Sequence, residues 1–307
     1  MNAPITLIKG DRMITTRRLS NALGAEIRGV DLSAPLEPGT IEEIRRIWLE
    51  HNIVLFRGND LTPELQVRFT EALGEPEPND SVAYLRHPEH PGVVLVSNEQ
   101  RANGNKYDRT GQVWHTDHAF IPSPTMASLL YAVKLPDVGG DTVFANMYLA
   151  YDTLSEGMKA LLEPLEAVHD KQHGARKLYG DQAAATDRVR SKTPPAVHRV
   201  VQVHPETGRK SLYVSEMFTT RFVGMTEEES RPLLEYLFQH STRPQFTYRH
   251  QWKTGDLIMW DNRCTMHLAL TDYDNSQTRR MHRTCLLGAT TGRYEDEGYE
   301  ANARAVA

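Results

Sequence analysis

The stretch Trp114-His115-Thr116-Asp117-His118 decides how the rest of the chain is read. In an extended segment residues i and i+2 point to the same side. His115 and Asp117 then present an imidazole and a carboxylate together, while Trp114 and Thr116 face the other way. With a histidine from a distant part of the chain, such a pair makes the facial triad that holds Fe(II) and leaves positions open for co-substrate and oxygen. On its own, His-x-Asp suits a solvated loop equally well, so the surrounding sequence has to carry the argument.

Outward from this stretch the chain reads mostly as strands. Met126 to Leu135 is a long apolar strand, followed by Gly139-Gly140-Asp141-Thr142 and a further strand through Ala145. Strands are also expected at 93–97, 197–203, 211–215, 246–252, 256–260, 264–268 and 279–288. Upstream, residues 13 to 33 suit two short strands around a turn at Gly24, and Ile53-Val54-Leu55-Phe56 suits another. Helices flank these. Thr40 is the expected cap of one carrying Ile41, Ile44, Ile47 and Trp48 on one face. Thr62-Pro63-Glu64 opens a second that stops at Gly74, helical patterns occupy 147 to 163, and Thr226 with Glu229 makes a capping box for a further helix. The long polar segment 172–195 is expected to be a lid, and 293–307 a flexible tail. The fold class is therefore mainly β with flanking α-helices, a double-sheet jelly roll, in one domain over 1–307. No βαβ alternation, glycine-rich dinucleotide loop or internal repeat competes with that reading.

Composition narrows the function. The net charge is −5, from 35 basic and 40 acidic side chains, and no basic stripe suggests nucleic acid. The apolar runs are strand-sized, too short to span a membrane, and the N-terminus carries no basic region followed by an apolar core. Two cysteines, Cys264 and Cys285, fit a reduced, cytoplasmic setting as buried inert thiols. Self-association into a homo-oligomer is left open.

The C-terminal third supplies the remaining chemistry: Gly255-Asp256-Leu257-Ile258-Met259-Trp260-Asp261-Asn262-Arg263, then His267, Arg279 and Arg283. His267 is positioned to give the distant nitrogen. Strand alternation puts Arg279, Met281 and Arg283 on one face and Arg280 and His282 on the other. Two inward guanidiniums require partners, and the planar arginine fork suits a carboxylate anion, whether a ligand's or the protein's own. Asn98 and His118 are further candidates for lining the pocket, whereas Trp260, Asp261 and Asn262 read as structural. His87-Pro88-Glu89 and His204-Pro205-Glu206 repeat the histidine–carboxylate spacing, but in turn-like surroundings.

In this order, Trp-His-Thr-Asp, Gly-Gly-Asp-Thr, Trp-Asp-Asn-Arg with a histidine four residues later, and Arg-x-x-x-Arg make the sequence resemble the taurine dioxygenase and 2,4-dichlorophenoxyacetate dioxygenase family of Fe(II)- and 2-oxoglutarate-dependent oxygenases. The resemblance runs from about Gly24 to Gly288. It implies a double-stranded β-helix, iron ligation by His115, Asp117 and His267, and a distal 2-oxoglutarate carboxylate held by Thr142 and Arg279. It implies that Arg283 meets the substrate's anionic group and approaches the co-substrate. The co-substrates are 2-oxoglutarate and O2, the products succinate and CO2, and the substrate a small organic anion: sulfonate, sulfate ester or carboxylate. Retention of Asp117 implies hydroxylation rather than halogenation, with C–S or C–O cleavage where the hydroxylated carbon carries a heteroatom. Taurine-binding members carry a histidine and a tyrosine after the Gly-Glu that ends the second helix; Asn79 and Val82 stand in the corresponding places here, which argues against taurine. Two other readings are a non-catalytic binding protein on the same scaffold, which the full triad disfavours, and a zinc hydrolase. The hydrolase leaves the arginine pair and Gly-Gly-Asp-Thr without a role.

Overall fold

A computed structural model describes residues 13–78, 80–99, 111–179 and 193–295. In chain order its strands are β1 Thr15–Arg18, β2 Ala25–Arg28, β3 Ile53–Phe56, β4 Val94–Ser97, β5 Ala127–Lys134, β6 Thr142–Asn146, β7 Glu166–His169 and β8 Ala196–Arg199. They continue as β9 Val201–Val203, β10 Lys210–Leu212, β11 Thr219–Phe222, β12 Thr247–His250, β13 Leu257–Asp261, β14 Thr265–Ala269, β15 Arg280–Leu286 and β16 Arg293–Tyr294. The major sheet has the order β1-β2-β3-β13-β5-β15-β4, and a three-stranded sheet β12-β6-β14 lies across from it. Together they make the jelly-roll container expected from the strand-rich sequence.

Period-2 alternation explains why the two layers separate as they do. Val54 and Phe56 of β3, with Leu257 and Met259 of β13, pack against helices α1 (Pro38–His51) and α2 (Pro63–Leu73). The intervening Ile53, Leu55, Ile258 and Trp260 face the other way, onto Phe144 of β6. One face of the major sheet is therefore sealed by helices, and the other looks into the roll. A third cluster joins β7, β10 and β11 to helices α3 (Met147–Asp152), α4 (Glu156–Leu162) and α6 (Glu227–Ser241).

Several local expectations change. Helix α1 begins at Pro38, with Glu37 rather than Thr40 at its cap and no side-chain hydrogen bond there; proline at the first position supplies the pre-set φ and has no N–H to leave unsatisfied. The helical patterns expected over 147–163 are two helices, α3 and α4, because Ser155 caps a new start at α4. The segment 172–195 is not structureless throughout: α5 spans Lys171–Tyr179, and Asp170 accepts the Gln172 N–H at 2.8 Å to begin it. Residues 180–192 of that segment lie outside the described residues, as do Asn79 and 296–307. Arg293 and Tyr294, read as the start of a frayed tail, pair instead with Val197 and Ala196 of β8. The turn at Gly24 and the Thr226–Glu229 capping box are present as expected. Among the described residues no helix is long and apolar enough to cross a membrane.

Candidate active site

The two histidines of the triad meet through the backbone before their side chains are considered. His115 and His267 form an isolated antiparallel bridge, with N–H···O contacts of 3.1 and 2.8 Å in the two directions. Their rings lie 4.0 Å apart between centroids. Both Nε2 atoms converge on Asp117 Oδ1, at 3.7 Å from His115 and 3.9 Å from His267. The His115 Nδ1–H donates to the Val113 carbonyl at 2.8 Å, which fixes the ring and leaves Nε2 facing inward.

These three side chains are buried, and their ligand atoms all lie within 4.8 Å of one another. Burial lowers the pKa of both His115 and His267, so each stays neutral with a lone pair to offer. Burial would raise the Asp117 carboxyl, but Arg283 and then the neighbouring imidazoles draw it well below the usual range. Two neutral imidazoles and one carboxylate suit Fe(II) with coordination positions to spare.

A second cluster, His204, Asp261 and Cys264, is equally compact but is already charge-balanced. Arg263 donates to both Asp261 oxygens at 2.8 and 2.7 Å, and His204 Nε2 lies 3.0 Å from Oδ2. Glu206 of the same motif accepts from Arg45 and Arg263. His204-Pro205-Glu206 thus belongs to an ion-pair network that fastens the turn after β13.

The cavity over the triad holds about 420 Å³. Thr142 and Arg279 lie on its wall, and the Gly-Gly-Asp-Thr turn explains their placement. Gly140 has φ of +73°, and a Cβ there would sit 3.1 Å from Arg279 Cδ and Nε. Close backbone approach lets the Gly140 carbonyl accept Arg279 Nε–H at 3.0 Å. Arg279 Nη2 is buried with no hydrogen-bond partner among the described residues, and burial lowers the pKa of this guanidinium. A buried donor of that kind fits an external carboxylate. Thr142 Oγ1 accepts from Trp252 Nε1 at 3.0 Å, which leaves its own hydrogen to donate.

Arg283 also lines the cavity, with Nη1 3.1 Å from Asp117 Oδ1. His118 does so too, in a left-handed backbone conformation (φ 54°) and with Nδ1 2.5 Å from buried Glu77 and 2.9 Å from Thr125 Oγ1. Asn98 stands behind the wall: its Oδ1 accepts the Arg279 N–H at 2.9 Å, and its amide donates to the Gln277 carbonyl at 2.8 Å. It braces Arg279 and does not line the cavity. Sequence reading missed Lys171, Phe120 and Phe218, which do line it. Lys171 lies over the Phe120 ring at 5.1 Å, and a lone lysine next to a polar stretch gave no signal of this.

Comparison with known proteins agrees with this geometry. Residues 15–285 match the profile of the taurine catabolism dioxygenase TauD, TfdA family. The chain belongs to that family. It is 35% identical to an alkylsulfatase of Acinetobacter baylyi over 94% of this chain and 89% of that protein. It is 36% identical to an alpha-ketoglutarate-dependent sulfate ester dioxygenase of Pseudomonas putida, over 88% of each chain. Among solved structures, a taurine dioxygenase from Burkholderia xenovorans superposes with a TM-score of 0.76 at 37% identity, over 90% of this chain and 91% of that one. The protein is a 2-oxoglutarate-dependent dioxygenase of the non-haem iron type, with Fe(II), 2-oxoglutarate and O2 as its cofactor and co-substrates.

Proposed function

We propose that this dioxygenase oxidises a small organic anion with an apolar body and no ammonium group, sulfate esters first among them. In this reading His115, Asp117 and His267 ligate iron, Arg279 and Thr142 take the distal carboxylate of 2-oxoglutarate, and Arg283 serves the substrate's anionic end. The observation that carries it is the cavity lining. Lys171, Arg279 and Arg283 give it positive charge, Val94, Leu130 and Met217 are among its apolar walls, and Asp117 is its one carboxylate among the described residues. An ammonium group there would have no free acid to meet among the described residues, because Asp117 is committed to the metal, and burying an unpaired charge is costly.

Bound iron, with 2-oxoglutarate and O2, supplies the oxidation of a substrate C–H to C–OH, with succinate and CO2 released. The protein's part is positional. Arg279 and Thr142 fix one end of the co-substrate, and the apolar walls exclude water and turn the substrate's carbon chain toward the triad. Where the hydroxylated carbon bears a sulfate ester oxygen, the product collapses to a carbonyl compound and free sulfate. The names of the two relatives above support that class. The presence of Val82 on the cavity wall, in place of the tyrosine of taurine-binding members, supports exclusion of taurine itself.

Lys171, Gln172, Ala175 and Leu178 of α5 line the cavity, which supports a lid role for the segment that begins there. Two free buried cysteines support a cytoplasmic setting. Succinate release, measured across alkyl sulfates, aryloxyalkanoates, alkanesulfonates and taurine, tests the substrate assignment. Medium-chain alkyl sulfates should lead; efficient turnover of taurine far above every other compound would overturn it.

A further inference from the structure

We propose that Ser128 and Asn262 are positioning residues that make Asp117 a ligand through Oδ1 alone. Ser128 is the second residue of β5, fully buried in the otherwise apolar run Ala127-Ser128-Leu129-Leu130. A hydroxyl in such a place is costly unless hydrogen-bonded, so its retention needs a reason. Its Oγ–H donates to Asp117 Oδ2 at 2.6 Å. The Ser128 oxygen in turn accepts from Asn262 Nδ2 at 3.0 Å. Asn262 Oδ1 accepts from Trp260 Nε1 at 2.9 Å and from the Asp117 backbone N–H at 3.3 Å.

The polarity of this chain is fixed at one end. An indole N–H can only donate, and so can a backbone N–H. The Asn262 amide must therefore turn its oxygen to both and its nitrogen to Ser128. With a donor already on its lone pair, Ser128 has its single hydrogen left for Asp117. The opposite amide orientation would set an NH2 group against two N–H donors. Oδ2 is thereby tied to β5, which fixes the rotation of the carboxylate so that Oδ1 is the oxygen that faces both histidine Nε2 atoms. Arg283 also reaches Oδ1, which has a second lone pair for it. Trp260 serves twice, because its ring packs 4.7 Å from that of His267.

The consequence is chemical. A carboxylate free to rotate can offer both oxygens to a metal and occupy a position that 2-oxoglutarate or oxygen requires. Holding Oδ2 prevents this, and outer partners of this kind typically change metal affinity by 10- to 100-fold when removed. The inference rests on the triad reading, and the experiment separates the two.

Co(II) is titrated into metal-free wild type and into Ser128→Ala, Ser128→Thr, Asn262→Ala and His267→Ala, following both Kd and the visible Co(II) absorption. Ser128→Ala should bind roughly 10- to 100-fold more weakly with an altered spectrum. Ser128→Thr, which keeps the hydroxyl, should recover most of both. A purely structural role for Ser128 would lower the melting temperature and leave Kd and spectrum alone, and that result overturns the proposal. If Ser128→Ala does not fold, Asn262→Ala carries the test: an unchanged Kd and spectrum there overturns it equally. Wild-type affinity in His267→Ala would instead sink the triad assignment, whatever Ser128 does.

Discussion

Replacing Arg279 with glutamine should weaken 2-oxoglutarate binding and leave the ligand-free protein no less stable. Arg279 is 6% exposed and, among the described residues, its guanidinium has one bond to protein (Nε–H to the Gly140 carbonyl) and leaves Nη2 without a partner. In the ligand-free protein this is a buried, under-compensated charge, so its removal relieves a desolvation penalty. With 2-oxoglutarate bound, the same group makes charge-assisted hydrogen bonds worth about 1.5–3 kcal/mol each. Losing about 3 kcal/mol net corresponds to roughly 150-fold in the co-substrate's dissociation constant. The assay has two arms. Succinate formation at varied 2-oxoglutarate should show the rise in KM. Thermal melting with Co(II) should show the wild type gaining stability from saturating 2-oxoglutarate, about 2.7 kcal/mol at 100 times Kd, while Arg279→Gln gains little at the same concentration. A variant whose KM for 2-oxoglutarate stays within about threefold of wild type would refute the assignment, since no single charge-assisted bond is that weak.

Arg283→Gln should chiefly impair use of the primary substrate, seen as a larger rise in that KM than in the KM for 2-oxoglutarate; identical behaviour of the two arginine variants would show that they form one shared anion site. Gly139→Ala should destabilise the fold more than Gly140→Ala, because a Cβ at 139 would lie 2.3 Å from the Asp272 carbonyl oxygen, against 3.1 Å from the Arg279 side chain at 140; urea melts of both variants check the order. His198, 1% exposed, has its pKa lowered by burial to about 4. Its unfolded-state value is higher, so the unfolded chain binds the extra proton first, and stability falls as pH drops from about 6.5 toward 4. From pH 7 to 5 this one group should cost about 2 kcal/mol, and denaturant midpoints for His198→Asn should fall less steeply over that range.

The parts of the site legible in the sequence are those that short spacings along the chain can express, although Asp117 lies in a turn and Arg279 just ahead of β15. His115 with Asp117, and Arg279 with Arg283, are same-face spacings, and both pairs line one cavity. Gly-Gly-Asp-Thr was legible as a motif ahead of a strand, while the close approach of Gly140 to Arg279 emerges only from the fold. Ser128 and Asn262 were not, because their significance lies across strands: β5 pairs with β13 in the register Ser128 to Trp260, which no spacing along either strand reveals. The one hint was a hydroxyl interrupting an apolar run. Asn98 could not be placed from sequence for the converse reason. Its polar side chain is spent on the backbone around Arg279, and sequence cannot tell a brace from a contact. Helix α5 was hidden because its residues are mostly polar, and its placement depends on the cavity it covers.

The reciprocal backbone bridge between His115 and His267 also bears on how metal enters and leaves. Each amide shields the other from solvent exchange, and the two segments are joined by nothing local in the chain. Pulling the histidines apart would break both bonds at once and lift the segment around His115 off one edge of β14, whose other edge stays paired with β6. Metal exchange that leaves both bonds in place proceeds by turning side chains. Deuterium uptake at these two amides should remain slow while metal is being swapped.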